Sequence, residues 1–418
     1  MKKTFKNLIA SILGWQIRRL RARNTFRVVA VAGSIGKTST KFAIAQTVST
    51  KLQVQFQEGN YNDVVSVPLV FFGHTMPNVT DVVSWLKIFF SNEALIRRKY
   101  PYDVVVVELG TDGPGQLQQF KKYLHADIGV LTAIAPEHME YFGTLQAVAN
   151  EELVVAQLSQ KLLVNTDLVD SEFLPEQHYI SYGVTSKADY MAKTTKATCN
   201  ISQGDRPVAS VTAPHSRVET YSYIAAAAVA EGLGLQPAEV AAGLKNIQPA
   251  PGRMNRLKGL QGATIIDDTY NASPVAALAA LDVLYAEKAK TKIALLGNMN
   301  ELGDMSADAH KELGAYCNPK KLDLVVTLGK DANEHTAAAA EDAGCKVVRV
   351  TTPYDAIAAI RPLLNENAVL LAKGSQNGVF AEEAVKLLLE HPDDAQKLVR
   401  QSEYWLAVKK NQFGDAPS

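Results

Sequence analysis

A short β-branched strand that runs into glycine and then directly into a helix admits few folds, and residues 28–48 form such a unit. Residues 28–32 read VVAVA, residues 33–40 read GSIGKTST, and a helix-forming stretch follows. Strand, glycine turn and helix N-terminus together make an anion cradle. Unpaired backbone N–H groups and the helix dipole face one point, and Gly33 and Gly36 let the chain come close to it. In such a loop Lys37 reaches the outer phosphates of a nucleotide, Thr38 offers a hydroxyl to a divalent ion, and Ser34 and Ser39 line the turn. The loop is one residue shorter than the general GxxxxGK[ST] pattern, so the strand-to-helix context carries the reading.

The rest of the chain fits an α/β protein of more than one domain. Its 418 residues correspond to two or three domains at ~150 residues each. Lys plus Arg and Asp plus Glu both number 43, so no global field draws the chain to nucleic acid. The three cysteines, Cys199, Cys317 and Cys345, are too scattered for a metal or redox pair and suit a reducing cytoplasm.

The N-terminus breaks this balance. Lys2, Lys3, Lys6, Arg18, Arg19, Arg21 and Arg23 precede the first acid, Glu58. Phe5, Leu8, Ile9, Ile12, Leu13, Ile17 and Leu20 recur at helical spacing. The stretch is too short and interrupted to span a bilayer, and no cleavage site follows it. Residues 1–23 are expected either to pack on the protein's own surface, the favoured reading, or to make peripheral contact with an anionic membrane.

Three regions emerge: a basic amphipathic helix over 1–25, an ATP-binding domain over 26–248, and a second α/β domain over 249–418. Buried strands are expected at 104–107, 128–131 and 161–164 in a doubly wound, mostly parallel sheet, with ligands at the strand C-termini. Residues 175–215 read as an antiparallel flap, and 220–233 and 237–244 as helices. PAPGR at 249–253 reads as a hinge. Beyond it, strands at 264–267, 292–296, 324–327, 346–349 and 369–372 alternate with helices up to Leu389 in a Rossmann-like unit. Residues 412–418 are expected to fray.

Two residues outside the loop suit metal chemistry. Glu108 ends the strand 104–107, where a metal-binding acid belongs in this architecture, and His138 follows the strand 128–131 and a turn. The plainer readings are a solvated strand-end acid and a structural histidine.

GSIGKTST, GNYND (59–63), VELG (107–110), PEHMEYFGT (136–144), APGRM (250–254), IDDTYNASP (266–274), LLGNMNELGDMS (295–306) and AKGSQ (372–376) follow one another in the chain. In this order they resemble the Mur ligases of peptidoglycan synthesis over about residues 26–390, most of all the branch that joins D-Ala-D-Ala to a muropeptide. The resemblance implies ATP and two Mg²⁺ ions, and a reaction through an acyl phosphate that an amine then attacks. It implies that Gly33, Ser34, Gly36, Lys37, Thr38 and Ser39 hold the phosphates, and that Thr38 and Glu108 hold one metal and His138 another. Asp268, Tyr270 and Asn271 would bind the nucleoside, Arg253 would reach the γ-phosphate, and Asn60, Asn62, Asn298, Glu301 and Lys373 would serve the substrate. The two domains would close about the hinge.

The chain also departs from the family pattern. Glu152 stands near where the family carries a carbamylated lysine, and its carboxylate would supply a similar negative oxygen; the alternative is a solvated helix acid. Residues 218–222 replace an adenine-side HNxxN motif, VVSVP follows GNYND, and Gln376 replaces an arginine. A UDP-sugar-binding domain precedes the loop in the family, where about 25 residues precede it here. The substrate is therefore expected to be held by the two α/β domains, or not to be a UDP-linked muropeptide. The competing functions are an amino-acid ligase of polyglutamate or cyanophycin type and a non-catalytic, membrane-apposed scaffold that binds ATP.

Overall fold

The β-branched runs fold as strands. The computed structural model describes residues 2–59, 61–185 and 187–414, with side chains from residue 5 onward. Cα proximity divides the chain into Met1–Ala135 with Tyr141–Gln248 and, as a second unit, Pro136–Glu140 with Pro249–Ser418.

The first unit is built on β1 (Arg27–Ala32), β2 (Val54–Gln55), β3 (Val104–Glu108), β4 (Ala126–Leu131), β5 (Ser159–Asn165), β6 (Ile180–Gly183), β7 (Tyr190–Thr194), β8 (Thr198–Gln203) and β9 (Arg206–Thr212). They form one sheet in the order β2-β3-β1-β4-β5-β6-β7-β8-β9. Side chains alternate across it. Val28, Ala30, Ala32, Val105 and Val107 join one core, and Val29, Val31, Val104 and Val106 join the other. A strand buried on both faces must be apolar at every position, which is why these runs lack the polar alternation of a half-exposed sheet. The helices Lys37–Val48 and Arg217–Gly232 cover the second face.

One expectation changes here. The segment 175–215 is antiparallel only in β7, β8 and β9, because β6 pairs with β5 in parallel and β7 with β6 in parallel. The stretch between β5 and β6, with its 3₁₀ turn Ser171–Phe173, is long enough for a crossover.

The N-terminal helix spans Lys2–Arg23. Ile9, Leu13, Ile17 and Leu20 are at most 1% exposed. Ile17 and Leu20 enter the core with Phe26, Phe120 and Tyr123, while Ile9 and Leu13 meet Val65, Leu69 and Trp85. The helix therefore packs on its own unit. Gln16 fixes it against the helix Val82–Ile96, donating to Phe89 O at 3.0 Å and accepting from Asn92 Nδ2 at 2.8 Å.

The second unit has β10 (Asn255–Lys258), β11 (Thr264–Asp268), β12 (Thr291–Gly297), β13 (Leu324–Leu328), β14 (Val347–Val350) and β15 (Ala368–Lys373), in the order β10-β11-β15-β12-β13-β14. All pairs are parallel except β10–β11. Regular structure continues past Leu389 into the helix Glu403–Phe413, so Gln412 is helical; residues 415–418 lie outside the described residues.

Candidate active site

β1 ends at Ala32 and the chain turns through Gly33 at φ 121° and Gly36 at φ 83° into the helix Lys37–Val48. A Cβ on Gly33 would lie 2.4 Å from Thr132 Oγ1 and 2.8 Å from Ala133 N, so both the backbone angle and the space demand glycine. Ser34 ties the loop to the segment after β4: its N–H donates to Ala133 O at 2.9 Å and its Oγ accepts from Ala135 N at 3.0 Å. Thr40 N donates to Gly36 O at 2.9 Å, closing the first turn of the helix at the glycine.

Glu108, at the end of β3, faces this turn. Thr38 Oγ1 donates to Glu108 Oε1 at 3.1 Å, and Lys41 Nζ lies 3.2 Å from Glu108 Oε2. All three side chains are buried, which removes the solvated-acid reading of Glu108. A hydroxyl beside a buried carboxylate is a hard oxygen set that suits Mg²⁺, an ion that takes one or two protein oxygens and fills its remaining positions with phosphate and water. Lys41, one turn beyond Lys37, was not singled out in the sequence. Its i+4 spacing from the loop lysine was the available signal.

Glu152 is 1% exposed, and its Oε2 accepts from Gly33 N at 2.7 Å. It is not a solvated helix acid. Its carboxylate holds the first glycine of the loop, a tether that sequence reading missed because Gly33 and Glu152 are far apart in the chain. The adjacent Glu151 serves the fold instead, accepting from the backbone of Gly115 and Leu117.

Residues 218–222 lie in the helix Arg217–Gly232, whose N-cap is Ser216. Ser222 Oγ pairs with Thr40 Oγ1 at 3.1 Å, and Val218 is the closest side chain to a Cβ built on Gly36. The segment therefore borders the loop with an apolar residue and a hydroxyl. Asn62 O accepts from Gly110 N at 2.9 Å, in the loop after β3; Asn60 lies outside the described residues.

In the second unit, His138 adopts φ 51° and its Nδ1 lies 2.6 Å from Glu301 Oε2, with Glu301 itself at φ 64°. The His138 imidazole at this distance holds the Glu301 carboxyl below its usual range, against the burial that raises it. A carboxylate on one ring nitrogen fixes the tautomer of a histidine and directs the other nitrogen, the arrangement common behind metal-binding imidazoles. Among the described residues no group of three or more His, Cys, Asp or Glu is arranged to hold a metal. Any ion at His138 would therefore need oxygens from its ligand.

Asp268 ends β11 and Lys373 ends β15, in register with each other. Lys373 Nζ donates to Asp268 Oδ2 at 2.6 Å and to Asn271 O at 2.9 Å, both side chains being largely buried. Met254 N donates to Asp268 Oδ1 at 3.2 Å. Lys373 thus braces the two residues expected to meet a nucleoside. Arg253 stacks over the Tyr270 ring at 4.1 Å. The Tyr270 backbone is held by Gly252 O at 3.1 Å on one side and by the Arg400 guanidinium at 3.0 Å on the other. Asn298 has a more structural place: its Oδ1 accepts from Ala332 N at 2.8 Å, fixing the turn after β13.

The comparisons agree with these two units. Residues 31–219 match the Mur ligase middle domain, and residues 252–376 match the Mur ligase glutamate ligase domain. The UDP-N-acetylmuramoyl-tripeptide–D-alanyl-D-alanine ligase of Bacillus subtilis is 28% identical over 377 residues, 88% of this chain and 76% of its own. The Escherichia coli enzyme of the same name is 26% identical, over 87% of this chain and 77% of its own. In fold, the chain is similar to MurF from Acinetobacter baumannii, with a TM-score of 0.74 at 22% identity over 92% of this chain and 81% of that one. It is likewise similar to MurF from Thermotoga maritima in complex with ADP, with a TM-score of 0.71 at 21% identity over 95% of this chain and 84% of that one. With both domains matched in sequence and the same architecture in the solved structures, the chain belongs to the Mur ligase family.

Proposed function

We propose that the protein is an ATP-dependent, ADP-forming ligase that joins D-Ala-D-Ala to the carboxylate of a muropeptide precursor. The observation that carries this reading is the loop 33–40 with Thr38 and Lys41 converging on buried Glu108. Its substrate pair comes from the names of the relatives that match over most of the chain.

The chemistry asks for charge neutralisation and positioning more than for a protein nucleophile. The acceptor carboxylate attacks the γ-phosphorus of ATP, giving an acyl phosphate and ADP. The amine of D-Ala-D-Ala then attacks the acyl carbon, and inorganic phosphate leaves from the tetrahedral intermediate. Lys37 and the N–H groups of the helix Lys37–Val48 neutralise the transferring phosphoryl group, with Glu152 holding Gly33 in place. Thr38 and Glu108 would hold one Mg²⁺, which screens phosphate charge when bound. We assign His138, oriented by Glu301, to a second ion, and Asp268, Asn271 and Tyr270 to the nucleoside, with Arg253 at the γ-phosphate. Asn60, Asn62, Asn298 and Lys373 are assigned to substrate or to bracing its contacts.

The test is to incubate the full chain with ATP, Mg²⁺, D-Ala-D-Ala and UDP-N-acetylmuramoyl-tripeptide, reading phosphate release and product mass. Stoichiometric phosphate and a product enlarged by the dipeptide are expected. Turnover with glutamate-chain acceptors, and none with the muropeptide, would overturn the substrate assignment.

A further inference from the structure

The N-terminal helix Lys2–Arg23 and the helix Val82–Ile96 lie side by side and run in the same direction. Gln16 meets Phe89 and Asn92, Arg19 meets Glu93, and past both helices Asn24 accepts from Tyr100 N at 2.9 Å. Their inward faces are used: Ile9, Leu13, Trp85 and Ile88 form one core with Val65 and Leu69.

The outward faces are apolar as well. Leu8 is 55% exposed and Trp15 46% on the first helix; on the second, Val82, Val83, Leu86 and Phe90 are 53%, 62%, 50% and 73% exposed. Leu8 and Trp15 are two turns apart, and Val82, Leu86 and Phe90 follow at i, i+4 and i+8, so each set forms one stripe. The stripes flank the seam that Gln16 and Glu93 define and make a single surface. Apolar surface of this extent on an otherwise soluble fold marks a contact site.

Charge identifies the occupant. Residues 2–23 and 82–99 hold eleven of the chain's 43 basic residues and one of its 43 acidic ones. That one acid, Glu93, is already paired with Arg19 at 2.5 Å. Because the helices are parallel, Arg18, Arg23, Arg97, Arg98 and Lys99 collect at the same end, beyond Trp15 and Phe90. A second copy of the chain would bring the same positive excess to the contact. An anionic bilayer supplies both an apolar layer for the stripes and negative headgroups for the basic end. No helix among the described residues is long and apolar enough to cross a membrane, which leaves the interface plane.

We propose that these two helices form a docking surface for anionic lipid, with Leu8, Trp15, Val83, Leu86 and Phe90 entering the headgroup boundary and the arginine-rich ends on the phosphates. This goes beyond the ligase reading and is independent of it, since the test needs neither ATP nor substrate.

The full chain is floated with vesicles of phosphatidylcholine alone and of phosphatidylcholine mixed equally with phosphatidylglycerol. Binding at least about tenfold stronger to the anionic vesicles is expected, falling at least about tenfold between roughly 0.1 and 0.5 M NaCl. The variant Val83→Ser/Leu86→Ser/Phe90→Ser changes only exposed positions, so it should keep the wild-type melting temperature and lose about tenfold or more in binding. Arg97→Glu/Arg98→Glu should do the same and keeps the proposal testable if the serine variant does not fold. The tryptophan emission should shift to the blue on binding, and Trp15→Phe should remove that shift. Equal binding to both vesicle types, variants that bind like wild type, or a dimer in solution that the serine variant dissociates would each overturn the proposal.

Discussion

Lys37 opens the helix Lys37–Val48, and the proposed function places its charge on the transferring phosphate. Lys37→Ala should abolish acceptor-dependent ATP hydrolysis while the fold survives, as kinetics with circular dichroism would show. Wild-type turnover would remove the loop from the mechanism. Glu152 acts one step back, through Gly33 N–H. Glu152→Gln keeps an oxygen for that donor but gives up the charge, so a loss of about 1 kcal/mol in stability and a lower kcat are expected. Activity should not respond to added bicarbonate, because no lysine carbamate has to form. A bicarbonate requirement would sink this view of Glu152.

Asp267 is the unusual carboxyl of the motif IDDTYNASP. Burial pushes it up to about 7, with hydrogen bonds from Thr269 opposing and the nearby Glu382 and Asp268 charges adding to the rise. Between about pH 4 and pH 7 the folded protein therefore keeps a proton that the unfolded chain has released. Stability is full below the unfolded value and falls as pH rises through the window, by at most about 1.4 kcal/mol per unit. Asp267→Asn should flatten that slope in thermal melts taken from about pH 4 to pH 8. An unchanged slope would place the proton elsewhere.

At the scale of the element, the helix Glu403–Phe413 is held by charge inside the protein. Lys409 is 1% exposed, with Nζ 3.0 Å from Glu382 and 2.6 Å from Glu383, and Arg400 pairs with Glu382 at 2.8 Å while donating to Thr269 O and Tyr270 O. Lys409→Met leaves two buried carboxylates short of a partner and should cost about 3–5 kcal/mol, measurable by urea unfolding. A second effect separates this from bulk destabilisation. Arg400→Lys retains the charge but loses the fork that grips Tyr270, so KM for ATP should rise more than kcat falls. A change in kcat alone would detach the helix from the nucleotide loop.

The same scale shows what sequence could and could not reveal. The parallel strands were legible because burial on both faces makes them continuous apolar runs, as at 104–107 and 369–372. β10, NRLK, was missed because it buries only Leu257 and its partner β11 shields one side of it alone. The loop 33–40 and Glu108 could be named because their chemistry is local to one turn or strand end, whereas Asp268 and Asn271 were named only through the family motif. The pairings Glu152–Gly33, Lys373–Asp268 and His138–Glu301 are distant in sequence and belong to the packing. Lys373 and Glu301, expected at the substrate from the resemblance, each hold a neighbour in the structure.

At the scale of the whole molecule, the two units are two solutions to one problem: a parallel sheet with chemistry at the C-terminal edge. In the first, the phosphate loop follows β1 and Glu108 ends β3, the neighbour to which β1 is hydrogen-bonded. In the second, Asp268 and Lys373 end the adjacent strands β11 and β15. Such sheets place ligands outside the carboxyl ends of the strands because the helix N-termini collect there.

The helix Lys2–Arg23 is made well before some of the residues that cover it. Ile17 and Leu20 are buried against residues as late as Phe120 and Tyr123. At roughly 5–20 residues per second, the ribosome takes on the order of ten seconds to deliver them. Throughout that interval Ile17 and Leu20 are incompletely covered, and Leu8 and Trp15 stay exposed, on a positively charged nascent segment. The nascent chain then carries an adhesive surface on this helix, and the arrival of Phe120 and Tyr123 decides when its inner face is fully withdrawn.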